Sequence, residues 1–201
     1  MIRKISFVLF LILSFAVHSK TLLVLGDSLS AGYNMSIEQS WPSLLPNVIS
    51  QEHNQTIEVI NGSVSGDTTG NGLAKLPALI EQHTPDYVLV ELGANDGLRG
   101  FKPNLVKDNL NEIISLSQSS GAKVFLMQIR IPPNYGKRYT QLFENIYPDL
   151  AHSNQVTLVP FFLEHVIQRA DWMMDDGLHP KAQAQPWIAE FVANQLQPHL
   201  D

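Results

Sequence analysis

The chain has 201 residues, 44% of them hydrophobic and 16% charged, which predicts one globular domain with an extensive apolar core. Its formal net charge of −6, with lysines and arginines scattered along the chain, excludes the basic surface that nucleic-acid binding requires. The absence of cysteine excludes disulfides and a lipid anchor attached through a thioether.

The first 19 residues are predicted to form a secretory signal peptide. Arg3 and Lys4 precede the apolar run ISFVLFLILSFAV, which is typical of a signal peptide and shorter than the roughly 20 residues of a membrane span. A membrane anchor is therefore the less favoured alternative. Small side chains allow cleavage after Ala16 or after Ser19. We expect residues 20–201 to form a soluble, monomeric domain, periplasmic or secreted, without a stable membrane anchor.

Five short apolar segments are predicted to form strands that are buried on both faces, as in a parallel sheet. Helical patterns follow these segments, so that the chain alternates between strand and helix. Pro46 and Pro77 fall within the first two helical patterns, and Pro46 is expected to kink its helix or end it early. The predicted strands are 21–25, 56–61, 86–92, 123–129 and 156–162, and the predicted helices are 40–51, 73–80, 104–119, 139–152 and 181–197.

This alternation predicts an α/β fold with one parallel sheet, right-handed crossovers and helices on both sides of the sheet. Ligands of such folds bind beyond the carboxyl ends of the strands, and polar loops recur there in this chain. The loops after the first four strands are GDSLSAG, GSVSGDTTGNG, GANDGLRG and RIPPNYGKR. The second of them lacks the Gly-Lys-Ser/Thr of a phosphate-binding P-loop.

Ser28 follows the first predicted strand and is a candidate nucleophile. The alternative is an ordinary turn or helix-capping serine after Gly26 and Asp27. A nucleophilic serine needs a base, and the base needs an acid that orients it. Because Ser30 occupies the last position of a G-x-S-x-G elbow, the α/β-hydrolase fold is disfavoured.

His179 and Asp176 are candidate partners for Ser28. They lie in DDGLHP, where Gly177 lets the chain turn and Pro180 favours an extended backbone at His179. A turn of this length can bring a carboxylate within hydrogen-bond distance of an imidazole. The alternative is an Asx-turn beside an exposed histidine.

Two further loops offer hydrogen-bond donors for the oxyanion that forms during acyl transfer. The backbone amide of Gly66, in SGD, is not obstructed by a side chain, and Asn95, in GAND, carries a carboxamide. Both segments are also typical of turns, which is the alternative interpretation.

Taken together, the blocks GDSLSAGY, NGSVSGD, GAND and DGLHP resemble those of the GDSL, or SGNH, hydrolase family, and they occur in the family's order. The segments WPSLLP, LMQIRIPPNYGKRY and DDGLHPKAQAQPWIA are similar to its periplasmic thioesterase, arylesterase and lysophospholipase branch, over nearly the whole chain after residue 20. The resemblance implies a flavodoxin-like three-layer α/β/α sandwich with a five-stranded parallel sheet.

The resemblance also implies a Ser-Asp-His triad. Ser28 would be the nucleophile, His179 the general base and then acid, and Asp176 the carboxylate that orients the imidazole. The amides of Ser28 and Gly66 and the side chain of Asn95 would form the oxyanion hole. The resemblance implies no cofactor, and no histidine, cysteine or acidic cluster has the spacing of metal ligands.

The implied activity is that of an exported serine hydrolase that cleaves esters and thioesters of acyl chains, lysophospholipids included, through an acyl-enzyme. One alternative is a carbohydrate O-deacetylase on the same fold; a less favoured one is a non-catalytic flavodoxin-like binding module.

The resemblance to the family selects Asp176 and not Asp175 as the triad acid. In GLRGFKP, Leu98 and Phe101 are candidate contacts for the acyl chain, unless this loop merely starts the next helix.

Overall fold

Five parallel strands form a single sheet in the computed structural model, which describes residues 19–53 and 55–200. Their order across the sheet, β2-β1-β3-β4-β5, is the flavodoxin-like order and confirms the predicted sheet. Apart from Ser19, the predicted signal peptide lies outside the described residues. The strands are β1 (Lys20–Gly26), β2 (Ile57–Asn61), β3 (Tyr87–Glu91), β4 (Lys123–Met127) and β5 (Thr157–Val159).

Helices cover both faces of the sheet and complete the three-layer sandwich. The α-helices are α1 (Trp41–His53), α2 (Thr69–His83), α3 (Ala94–Leu98), α4 (Pro103–Ser119), α5 (Lys137–Glu144), α6 (Ile146–Asn154), α7 (Leu163–Val166) and α8 (Gln185–Leu196). Helix α1 packs against α8, whereas α4 packs against both α2 and α6. None of the helices in the described part of the chain is both long enough and apolar enough to cross a bilayer.

The predicted helices differ from the structure in two details. The segment predicted as one helix from 139 to 152 forms α5 and α6, which meet at Asn145. Pro148 has no amide hydrogen to donate to the carbonyl of Glu144, so it falls in the first turn of a new helix, where that donor is not needed. Helix α1 continues through Pro46 to His53 instead of ending early, because its buried face packs against α8 and β2.

The centre of the sheet determines where a ligand can bind. Strands β1 and β3 are neighbours, and Leu22, Leu23, Leu25 and Val90 among their side chains are fully buried. The chain moves outward from β1 to β2 and then returns to β3 on the other side of β1. In an open parallel sheet this reversal leaves a crevice beyond the carboxyl ends of the two central strands. The loops after β1 and β3 border that crevice.

The C-terminal end of α2 offers a test of the backbone geometry. Thr84 caps this helix in the left-handed conformation, with φ 41° and ψ 56°, which is strained for a β-branched residue. We expect Thr84→Gly to raise the free energy of unfolding in urea by about 1 kcal/mol. Thr84→Ala, which keeps a Cβ atom, should gain much less, and equal stability of the two variants would contradict the assigned strain.

Candidate active site

Ser28 lies in a tight turn directly after β1. The amides of Ser30 and Ala31 both donate to the carbonyl oxygen of Asp27, at 3.2 and 2.9 Å, and so wrap the chain around this position. The Ser28 Oγ lies 2.8 Å from Nε2 of His179, a residue 151 positions further along the chain. The predicted fold therefore brings the candidate nucleophile and its candidate base into direct contact.

A short closed loop positions His179. Met173 and Pro180 form an antiparallel bridge at its base, and Gly177 turns the chain with φ 67°. Inside the loop, Asp176 Oδ2 lies 2.7 Å from Nδ1 of His179. With the imidazole proton on Nδ1, facing this carboxylate, Nε2 is left to accept the hydroxyl of Ser28.

Asp176 is held in its ionised form. Its Oδ1 accepts the backbone amides of Leu178, at 2.8 Å, and His179, at 3.0 Å. Desolvation alone would raise the pKa of Asp176, but these hydrogen bonds and the imidazole of His179 outweigh it and lower the pKa to about 2. The carboxylate therefore stays charged in all but strongly acidic solution.

Tyr33 covers one face of the imidazole. Its ring stacks on that of His179 with the centroids 4.2 Å apart and the planes inclined by 30°. An aromatic face held this close limits the rotation of the imidazole and can stabilise its cationic form. This contact is not predictable from the sequence, because it depends on how the turn after β1 meets the loop before α8.

Two backbone amides and one side chain are the candidate donors for an oxyanion. Within residues 19–53 and 55–200, the amides of Ser28 and Gly66 donate no hydrogen bond, so both remain available to a ligand. Gly66 has φ 87°, a conformation that a residue with a Cβ atom would adopt only with strain. Asn95 Nδ2 donates to the Asp67 carbonyl, at 3.0 Å, and to Asp27 Oδ2, at 3.1 Å.

Two cations hold the loop that carries Gly66. Lys75, on α2, donates to both the carbonyl oxygen of Gly62 and Oδ2 of Asp67, each at 2.6 Å. Arg99 donates to the carbonyl oxygen of Gly66, at 3.1 Å. These contacts hold the segment from Gly62 to Asp67, which carries the Gly66 amide.

Two buried carboxyl groups lie beneath the turn that carries Ser28. Glu91 Oε2 accepts Ser30 Oγ, at 2.7 Å, and the backbone amide of Asp27, at 3.4 Å. Burial raises the pKa of Asp27 to about 6, against the opposing hydrogen bonds from Leu29 and Asn95. Burial, and next the charge of Asp27, raises the pKa of Glu91 well above its ordinary value.

An apolar cavity of about 480 Å³ adjoins Ser28, Asn95 and His179. Arg130 and Glu164 form an ion pair in its wall, and the rest of the wall is mainly aliphatic or aromatic. The apolar side chains that line it are Leu29, Ala94, Leu98, Ile131, Pro132, Pro133, Phe161, Leu163, Ile167 and Leu178.

The segment after Asn95 is held by packing and by hydrogen bonds that the sequence does not indicate. Leu98 belongs to α3 and lines the cavity, whereas Phe101 is not among the lining residues and packs against the core. The hydroxyl of Tyr135 donates to the Leu98 carbonyl, at 2.9 Å, and that of Tyr139 to the Phe101 carbonyl, at 2.7 Å. Of the two expected acyl-chain contacts, the structure brings only Leu98 to the site.

Comparison with known proteins agrees with this geometry. Residues 24–185 match the model of the GDSL-like lipase/acylhydrolase family. The chain belongs to this family. It is 67% identical to an arylesterase of Vibrio mimicus, over the full length of both chains, and 50% identical to the thioesterase 1/protease 1/lysophospholipase L1 of Escherichia coli K12, over 96% of this chain and 91% of the relative.

Solved structures of GDSL esterases share the fold as well. The psychrotrophic esterase EstA of a Pseudoalteromonas species, crystallised in a form inhibited by monoethylphosphonate, superposes with a TM-score of 0.86. That structure is 39% identical in sequence, and the match covers 90% of this chain and 98% of the EstA chain.

Several residues of this GDSL site are not predicted from the sequence. In the sequence, Asp27 is typical of a turn, and its position next to Ser28 is the one signal of a role at the site. Glu91 ends an otherwise apolar strand, and a carboxyl group in such a segment needs partners when it is buried. Tyr33 and Arg99 had no comparable signal, because their contacts form only between separate loops.

The pH dependence of stability tests the burial of Glu91. Because its pKa is raised, its stabilising contribution is complete below the ordinary value of 4.5 and is lost as pH rises through the higher folded value. We expect the wild type to lose more unfolding free energy than Glu91→Gln between about pH 5 and about pH 9. Glu58→Gln, at an exposed position on β2, should follow the wild type; parallel curves for all three proteins would contradict the assignment.

Proposed function

We propose that this chain is an exported serine hydrolase that cleaves carboxylic esters and thioesters of acyl chains, including lysophospholipids. The observation that carries the proposal is the continuous hydrogen-bonded series Ser28–His179–Asp176, which adjoins an apolar cavity. A serine, an imidazole and an ionised carboxylate at these distances have the geometry of nucleophilic acyl transfer.

The proposed reaction has two halves. Ser28 Oγ attacks the acyl carbonyl carbon while its proton moves to Nε2 of His179, and the carbonyl π electrons move to the oxygen. Collapse of this tetrahedral intermediate expels the alkoxide or thiolate, which takes the proton from His179 and leaves an acyl-enzyme. Water then repeats the attack with the same proton transfers, releasing the carboxylic acid and restoring Ser28.

The oxyanion of each intermediate needs donors that are already in place. The unengaged amides of Ser28 and Gly66 and the carboxamide of Asn95 are our proposal for this role. The Asp176 carboxylate would orient His179 and stabilise the imidazolium that forms beside it.

The cavity supports an acyl chain as the bound part of the substrate. Its mainly aliphatic wall would exclude water from a hydrocarbon chain and gives few partners to sugar hydroxyls, so the carbohydrate O-deacetylase is less well supported. The names of the relatives, arylesterase and thioesterase/lysophospholipase, agree with acyl substrates whose leaving groups differ. Of the candidate contacts, we propose Leu98 as the one that touches the chain.

The location and assembly of the protein are also proposals. The basic and apolar N-terminal segment supports export to the periplasm or beyond, with removal of the signal peptide. We further propose a monomer that acts without a metal ion or organic cofactor, because the proposed proton transfers need only side chains of this chain and water.

The two neighbouring aspartates provide a matched test of the triad. Asp176→Asn removes the carboxylate that contacts Nδ1 of His179 and should lower kcat for p-nitrophenyl esters by roughly 10,000-fold. Asp175→Asn makes the same chemical change at an exposed adjacent position and should stay within about 3-fold of the wild type.

Purified Ser28→Ala, with an unchanged melting temperature, should retain no measurable turnover above background. A larger loss in Asp175→Asn than in Asp176→Asn, or near-native turnover in Ser28→Ala, would contradict the assignment of the triad.

Chain-length preference tests the acyl cavity. Leu98→Trp adds bulk to the cavity wall and should lower kcat/KM for p-nitrophenyl decanoate by about 10-fold more than for the acetate. Leu105→Trp, at an exposed position of α4 outside that wall, is the control and should leave the ratio of the two rates unchanged. An equal loss on both esters in Leu98→Trp would place the acyl chain elsewhere.

A further inference from the structure

We propose that Asp27 is a positioning residue that keeps the donor end of the Asn95 carboxamide directed into the oxyanion hole. The inference rests on the proposed function, because it assigns Asn95 the role of oxyanion donor. It concerns the buried carboxyl group beneath the catalytic turn, which the proposed proton transfers do not use.

A carboxamide has a donor end and an acceptor end of nearly the same shape, so its orientation must be fixed by its neighbours. Asn95 Nδ2 faces two acceptors, Asp27 Oδ2 at 3.1 Å and the Asp67 carbonyl at 3.0 Å. If the carboxamide rotated by half a turn, its oxygen would face both of these oxygens and lose both hydrogen bonds. The pair of acceptors therefore selects one orientation.

The two acceptors differ in strength and in burial, since Asp67 is only half-buried. Asp27 is fully buried and anchored by the amide of Leu29, which donates to its other oxygen, Oδ1, at 3.1 Å. Asp67 lies on the loop that carries Gly66, and its carbonyl oxygen is neutral. Hydrogen bonds to a carboxylate are stronger than those to a neutral carbonyl.

Both amide hydrogens of Asn95 are engaged in this structure, so a developing oxyanion must replace or share one acceptor. The neutral Asp67 carbonyl is the one that yields. The bond to Asp27 persists through the reaction and keeps the second hydrogen of Asn95 pointed at the oxyanion.

In the Asp27→Asn variant, the side chain at position 27 no longer selects the orientation of the Asn95 carboxamide that points a donor at the oxyanion. The side chain of an asparagine has one acceptor oxygen, whereas Asp27 uses one oxygen for Leu29 and the other for Asn95. The backbone amide of Leu29 cannot turn around, so the new oxygen faces Leu29 and the new NH₂ group faces Asn95. Asn95 then rotates to present its oxygen to that NH₂ group, and the oxyanion loses a donor.

A double-mutant cycle separates this role from a general structural one. We would measure kcat and KM with a p-nitrophenyl ester at pH 8 for the wild type, Asp27→Asn, Asn95→Ala and the double variant. Asn95→Ala should lower kcat by about 100-fold, and Asp27→Asn should lower kcat by at least about 10-fold with KM within about 2-fold. On the Asn95→Ala background, Asp27→Asn should change kcat by less than about 2-fold.

Asp96→Asn is the matched control. Asp96 is also a buried carboxyl group, but it accepts the amide and hydroxyl of Thr69, at 2.8 and 2.6 Å, and not the Asn95 side chain. Its effect on kcat, whatever its size, should be the same on both backgrounds. If Asp27→Asn does not fold, Asp27→Ser provides the same test, because the shorter serine side chain cannot contact both the Leu29 amide and the Asn95 side chain.

The outcomes distinguish the positioning role of Asp27 from the oxyanion role of Asn95. A loss in Asp27→Asn that is absent on the Asn95→Ala background supports the positioning role. An equal loss on both backgrounds, a change in KM alone, or an unchanged kcat overturns it while Asn95 keeps its role. An unchanged kcat in Asn95→Ala removes the oxyanion role of Asn95 itself and overturns the inference with it.

Discussion

Parallel pairing of β1 with β3 is the constraint on which the site depends. In this register Gly26 lies opposite Glu91, so the chain leaves both strands at the same point of the sheet edge. Ser28 and Asn95 follow the two strands and become neighbours, although α1, β2 and α2 lie between β1 and β3 in sequence. A Cβ atom on Gly26 would lie 2.8 Å from Glu91 Oε2, so a larger residue here would displace this buried carboxyl group.

Local and global structure contribute different parts of the triad. The contact between Asp176 and His179 is local, because it forms inside a loop closed by the bridge between Met173 and Pro180. The contact between His179 and Ser28 is global, since it exists only when that loop packs over the turn after β1. Trp41 joins these regions: its indole donates to the Leu29 carbonyl and its amide donates to the side chain of Gln185, at the start of α8.

The sequence was most informative where chemistry and chain spacing coincide. Apolar segments and their alternation with helices were sufficient to predict the sheet. The Asp-x-x-His spacing allowed the contact of Asp176 with His179, and the resemblance to the GDSL family selected it over an Asx-turn. The stacking of Tyr33 on His179 was not predictable, because it depends on how two distant loops pack. Phe101 illustrates the same limit, since a hydrogen bond from the Tyr139 hydroxyl helps to hold its backbone against the core and outside the cavity lining.

Covalent labelling with a fluorophosphonate tests the central claim, that Ser28 is an activated nucleophile, without any assumption about the substrate. The reagent forms a stable phosphonyl ester with an activated serine, and peptide mass spectrometry locates the modified residue. The account predicts one label per chain, on Ser28, with labelling strongly slowed when Asp176 or His179 is replaced. Absence of labelling in the folded wild type, or a label on another serine with Ser28 unmodified, would contradict it.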